Sequence, residues 1–143
     1  MFTLTHLHPM LVHFPIALVA AGFLLELVYL FCKKEVCLTK AGFSLLILGA
    51  LAAVITWLSG MFFTAKMEGI AGQVRETHEL LATISVVLIV IAAAIRIYAT
   101  VKKMDDKKVL KNIAFIIYGL ATLSVFATGY FGGTLVYNYM MPL

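Results

Sequence analysis

Four apolar stretches, each near the roughly 20 residues a helix needs to cross a bilayer, constrain this chain more than anything else in it. They occupy about residues 9–31, 41–63, 80–101 and 112–137, and short polar first turns extend the last two to about 75–101 and 111–137. At 63% hydrophobic and 13% charged, the composition lies well outside the roughly 45–50% apolar share of soluble domains. The first stretch is not arranged as a secretory signal: no basic residue precedes it, and its first cations, Lys33 and Lys34, follow it. The expected fold is therefore all-α, a single four-span transmembrane domain over residues 1–143 arranged as an up-down four-helix bundle. No internal repeat, low-complexity tract or linker is evident.

The formal charge of +4 does not describe a nucleic-acid binder, because the cations are sorted by loop. Lys33, Lys34 and Lys40 lie around the first loop, and Arg96, Lys102, Lys103, Lys107, Lys108 and Lys111 around the third. The second loop holds only Lys66 and Arg75, and neither tail carries Lys or Arg. The positive-inside rule puts the first and third loops in the cytoplasm and both termini outside, in a cytoplasmic (inner) membrane. Cys32 and Cys37 then face the reducing side, where a structural disulfide is not expected.

All four histidines fall at outer ends of spans. Three lie in His6-Leu-His8-Pro9-Met-Leu-Val-His13-Phe-Pro15, and the fourth is His78. Ionisable groups at membrane depth need partners and mark functional sites, and imidazole is the commonest metal ligand. His13 lies a turn inside Pro9 and His78 a turn inside Arg75, which sets both about 5–6 Å below their helix starts. Spans one and three run the same way and face each other diagonally. His13 and His78 are thus the expected axial ligands of a b-type haem. Gly129, Gly132 and Gly133 would clear space for the macrocycle, and Arg75 and Lys66 would pair with its propionates. His8 is a third candidate, as a cap of the helix start, a ligand or a donor behind the ligands, whereas His6 is expected outside the helix.

Other readings of the same residues stay open. Met1, Met10, Met61, Met67, Met140 and Met141 also map to the outer side, and thioether with imidazole suits copper. Zinc is a further alternative, and so is a cofactor-free structural subunit whose histidines only hydrogen-bond in a polar bundle mouth. Glu26 and Arg96 are expected at similar depth near the inner face, where they can pair. Glu76 and Glu79 flank His78 and can orient its second nitrogen. No Cys-x-x-Cys-His, His-Glu-x-x-His, nucleophile–base pair or phosphate loop is present, so enzyme activity would rest on quinol oxidation alone.

The run His8-Pro9-Met-Leu-Val-His13-Phe14-Pro15-Ile16-Ala17-Leu18, the later His78 and Gly132-Gly133-Thr-Leu-Val-Tyr137 resemble a four-helix bacterial membrane family, domain of unknown function 2231. The resemblance covers essentially the whole chain. Members look fused or adjacent to Rieske-type and cytochrome c modules, which implies redox work at the outer face with quinol or such modules as partners. This chain departs from the pattern after Tyr137, where Asn138-Tyr-Met-Met replaces a His-Gly ending. The sequence leaves a homo-oligomer open. The expected function is electron transfer by a cytochrome-b-like protein, with a copper or zinc protein for metal transport or storage as the alternative.

Overall fold

The computed structural model of the protein describes residues 7–64, 66–104 and 107–139. Every regular element among them is helical: α1 (Leu7–Leu11), α2 (His13–Phe31), α3 (Val36–Phe63), α4 (Gly69–Val101) and α5 (Lys108–Tyr137). α1 and α2 together make the first of four crossings, and all four are long and apolar enough to span a membrane. α2 packs on α3, α3 on α4, α4 on α5 and α5 back on α2. This is the square section of an up-down bundle, with α2 diagonal to α4 and α3 diagonal to α5.

A seven-residue seam holds the bundle together. Its buried positions are Pro15, Val19, Gly22 and Glu26 in α2, then Gly42, Leu46, Gly49, Ala53 and Thr56 in α3. They continue as Ser85, Ile89, Ala92 and Ala99 in α4 and Ala114, Tyr118, Ala121 and Val125 in α5. Alternating steps of three and four residues keep such a seam facing the neighbouring helices. Small residues are frequent in it because lipid gives apolar helices no hydrophobic reason to associate, so close van der Waals packing must do so. A side chain at Gly22 would strike the Tyr118 hydroxyl. One at Gly42 would meet Glu26 Cγ at 2.9 Å, and one at Gly49 would meet Val19 Cγ2 at 2.9 Å.

Proline removes one backbone hydrogen bond from the first crossing where α1 meets α2 at Val12, and the chain stays helical there: Val12 has φ −59° and ψ −26° and donates its N–H to the His8 carbonyl at 3.1 Å. Pro15 has no N–H to offer the carbonyl of Leu11, and in a bilayer that acceptor needs another donor. Thr56 of α3 supplies it, donating its hydroxyl to the Leu11 carbonyl at 3.2 Å. The helix starts at Leu7, two residues earlier than expected, so Pro9 still lies in the first turn, where its missing N–H leaves no bond unmade. The α3–α4 connection is also shorter than expected. α4 begins at Gly69 rather than near Arg75, because Gly69 adopts φ +65° and reverses the chain.

The bundle contains a repeat that the linear sequence hides. Pro15, Val19, Gly22 and Glu26 of α2 correspond, 70 residues on, to Ser85, Ile89, Ala92 and Arg96 of α4. Gly42, Leu46, Gly49 and Ala53 of α3 correspond at a constant offset of 72 to Ala114, Tyr118, Ala121 and Val125 of α5. The two hairpins are thus related by a pseudo-two-fold axis along the bundle, and few of the matched residues are identical.

Two equivalent positions meet across that axis. Arg96 donates to Glu26 Oε1 at 2.7 Å and to the Thr39 hydroxyl at 3.2 Å, and Thr39 donates to the same carboxylate oxygen at 3.0 Å. The guanidinium carbon also stands 5.3 Å over the Phe43 ring. Glu26 is 3% exposed, so removing its partner strands a charge, at a cost of about 3–5 kcal/mol. Arg96→Met is expected to lower the denaturation midpoint in detergent markedly. Glu26→Met/Arg96→Met should recover most of the loss. Equal midpoints for wild type and Arg96→Met would show that the pair contributes nothing.

Candidate functional site

The end of the axis opposite the Glu26–Arg96 pair is built from a second pair of equivalent residues. His8 stands seven residues before Pro15 and so continues the buried seam of the first crossing. Its ring lies against Gly60, where a side chain would approach Cε1 at 3.0 Å. Nδ1 is 2.8 Å from the Ser59 hydroxyl and 3.2 Å from the Thr56 carbonyl, and Ser59 itself donates to that carbonyl at 2.7 Å. With the serine proton committed, the hydrogen between Nδ1 and Ser59 belongs to the imidazole.

His78 repeats the arrangement from α4, seven residues before Ser85. Its ring lies against Gly132, where a side chain would meet Cε1 at 3.1 Å, and its Nδ1 is 3.0 Å from the Thr128 carbonyl. A carbonyl only accepts, so Nδ1 again carries the proton. Each half-site is therefore a histidine that donates to a threonine residue's carbonyl or its adjoining hydroxyl and rests on the glycine one turn later. The offsets are 70 residues for the histidines and 72 for the threonine and glycine.

The two rings face each other with centroids 6.5 Å apart and planes at 83°. Neither Nε2 has a hydrogen-bond partner among the described residues. Below them runs a hydroxyl layer in which Ser85 bonds Ser124 at 2.8 Å and Thr128 at 3.1 Å. The apolar seam of Val19, Ile89, Ala92 and Val125 then begins.

Several expected placements differ from this geometry. His13 is exposed, and His8 is the residue brought to His78. The physical reason is angular: His13 is two residues, about 200°, from buried Pro15, whereas His8 is seven residues, about 700°, from it and shares its face. Gly132 makes room for an imidazole rather than for a macrocycle. Gly129 is in ordinary contact with Ile16, and Gly133 has nothing within 4 Å of where its side chain would be. Arg75 pairs with Glu79 at 2.6 Å and lies 3.5 Å from the Thr64 hydroxyl, while Lys66 is exposed on the α3–α4 connection. Glu79 thus serves Arg75, and the Thr128 carbonyl takes the second nitrogen of His78. Met10 and Met61 are exposed and Met67 is half-buried. His6, Met1, Met140 and Met141 lie outside the described residues.

Sequence reasoning overlooked Thr56, Ser59, Gly60 and Thr128. The available signal was the seam: Thr56 and Gly60 continue the α3 positions Gly49 and Ala53 at sevens, just as Thr128 and Gly132 continue Ala121 and Val125 in α5.

The donor set fits a metal shared between two imidazoles. Metal-bound histidines characteristically donate the other ring nitrogen to a carbonyl, which fixes the tautomer and the ring direction. Two imidazoles bonded to one ion at about 2 Å each place their ring centres roughly 6 Å apart, near the distance seen here. Among the described residues no group of three or more His, Cys, Asp or Glu comes together to hold a metal. Axial ligation of a haem draws on two protein donors, whereas a tetrahedral zinc site draws on three or four.

The fold defines an integral membrane protein of four crossings with a histidine pair at one end of its axis. The chain belongs to the family described as predicted membrane protein (DUF2231), which matches it over residues 5–142. No curated protein and no solved structure matches the chain.

Nitrogen NMR on histidine-labelled protein tests the half-sites directly. His8 and His78 should both appear as the Nδ1–H tautomer, slow to exchange, and His13 as a fast-exchanging ring. Gly132→Val should disturb His78 without moving the His13 signals. An Nε2–H tautomer at either paired ring would contradict the assignment of its carbonyl partner.

Proposed function

We propose that the protein is a membrane-embedded electron carrier that holds one b-type haem near the outer membrane face between His8 and His78. The observation that carries this reading is the matched pair of imidazoles, 6.5 Å apart, each with Nδ1–H committed and Nε2 without a partner among the described residues. When bound, haem supplies reversible one-electron exchange, and axial histidine with its hydrogen-bonding surroundings sets the potential.

The chain's own residues account for the rest. The Thr128 carbonyl, and Ser59 with the Thr56 carbonyl, hold the rings in orientation and make the free nitrogens more basic. Gly60 and Gly132 let each ring lie against a helix backbone. Arg75 stands three residues nearer the mouth than His78 and presents a cation to an anionic substituent, with Glu79 holding it in place. The apolar seam beneath Ser85 keeps water and protons of the mouth away from the Glu26–Arg96 pair. Electrons would arrive from a membrane quinol and leave to an external cytochrome or Rieske module. This follows from an orientation with both termini outside, as the lysine-rich α2–α3 and α4–α5 connections favour.

The absorbance spectrum of purified protein from haem-supplemented cells tests the cofactor. A Soret band with reducible α and β bands is expected in wild type and in His13→Ala. His8→Ala and His78→Ala should lose or strongly shift it while still inserting in the membrane. Copper is the competing occupant of the same pair, because imidazole suits it. Stoichiometric copper without a Soret band would replace the haem reading, and neither signal would leave a structural subunit. Topology is checked separately: a C-terminal alkaline phosphatase fusion should be active, and an inactive one would put the histidine pair on the inner face.

A further inference from the structure

The seam between α2 and α5 carries an open apolar groove of about 320 Å³, walled by Ala20, Ala21, Leu24 and Leu27 of α2 and by Thr122 and Phe126 of α5. The other hairpin has Val90 and Ile91 at the positions equivalent to Ala20 and Ala21, so this seam is opened by smaller residues than its counterpart carries. Phe23 forms the floor. It sinks against Gly119, where a side chain would meet its ring at 3.1 Å, and its ring centre lies 5.2 Å from Phe115 and 5.5 Å from Tyr118. Thr122 commits its hydroxyl to the Tyr118 carbonyl at 2.9 Å, which leaves the wall apolar.

A cation marks one end of this groove. Lys111, Phe115, Gly119, Thr122 and Phe126 follow one another along α5 at steps of three or four residues, so they share the face turned to α2. The Lys111 ammonium is exposed and stands 4.9 Å over the Tyr29 ring of α2. At 1.5 Å per residue Thr122 and Phe126, the α5 wall of the groove, lie about 16 Å and about 22 Å along α5 from Lys111, so the groove begins within one leaflet of the roughly 30 Å hydrocarbon core and reaches past its middle. Lys33 and Lys34 on the α2–α3 turn and Lys107 and Lys108 before Lys111 are all exposed at the same end, and Glu35 is the exposed acid described there.

We propose that this seam holds one anionic phospholipid from the leaflet at the lysine-bearing end, with an acyl chain in the groove and the headgroup phosphate on Lys111. Charge selects the class. A zwitterionic lipid would bring its own ammonium group against a ring of lysines, and an anionic one would not. Position selects the leaflet, because Lys111 and the exposed lysines around it all stand at one end of the groove. The inference is independent of any cofactor at the histidine pair.

Native mass spectrometry of the purified full chain, incubated with phosphatidylglycerol or phosphatidylcholine of the same acyl chains, provides the test. Wild type should retain one phosphatidylglycerol in preference to phosphatidylcholine. Lys111→Gln should weaken phosphatidylglycerol about fivefold, the expected contribution of one lysine at a lipid surface, and weaken phosphatidylcholine, whose own ammonium offsets its phosphate, clearly less. Ala21→Phe should fill the groove and weaken both lipids, while Lys40→Gln should change neither. Ala21 and Lys111 are exposed, and unchanged melting by circular dichroism verifies that the variants fold. Equal retention of the two lipids, or equal effects of Lys111→Gln and Lys40→Gln, would overturn the proposal. So would sensitivity to only one of Lys111→Gln and Ala21→Phe, because the site requires headgroup and chain together.

Discussion

Close approach of helix backbones through glycine and alanine is the contact on which this molecule depends. In lipid the helices gain nothing from hiding apolar surface, so they associate where backbones can come near enough for dense packing and for polar side chains to reach across. Gly22 and Gly42 bring α2 and α3 together beside Glu26, and the same proximity lets Arg96 reach from α4 to that carboxylate. Gly60 and Gly132 do the equivalent work at the opposite end of the bundle, where they set imidazole rings directly against helices. Larger residues at these positions would move the functional groups apart before they unfolded the bundle.

The pseudo-two-fold axis gives this packing a functional consequence. Residues at equivalent positions that lie beside the axis face each other across it, so a residue type present at such a position in both halves becomes a matched pair. His8 and His78 are such a pair, supported by Thr56 and Gly60 on one side and Thr128 and Gly132 on the other. Glu26 and Arg96 are equivalent in position and opposite in charge, which converts the symmetry into an ion pair. A symmetric donor set suits one ion on the axis. A complementary pair neutralises itself and fixes how the two hairpins face each other. The two ends are kept apart by Val19, Ile89, Ala92 and Val125, apolar side chains of the buried core.

Departures from symmetry are as informative as the symmetry. Ala20 and Ala21 against Val90 and Ile91 leave one seam open to lipid. Pro15 against Ser85 costs the first crossing a backbone hydrogen bond that α4 keeps. Where α2 loses a backbone donor, α3 supplies the Thr56 hydroxyl to the Leu11 carbonyl. In α4, Ser85 instead joins the hydroxyl layer beneath His78. Near-identical half-sites thus rest on differently built helices.

The sequence by itself determined the number of crossings, the all-helical class and the sorting of charge between the two ends, because each follows from length, hydropathy and composition within a single stretch. It also brought Glu26 and Arg96 to similar depth, since depth is counted along one helix at a time. Only the tertiary structure decided that His8 rather than His13 meets His78. Two prolines made the rotation of the first crossing uncertain, and a ring's direction depends on rotation rather than depth. The roles of Thr56, Thr128, Gly60 and Gly132 were hidden for a different reason. A main-chain carbonyl acting as a partner, and a glycine acting as space, leave no chemical signature in a sequence until another helix is laid against them.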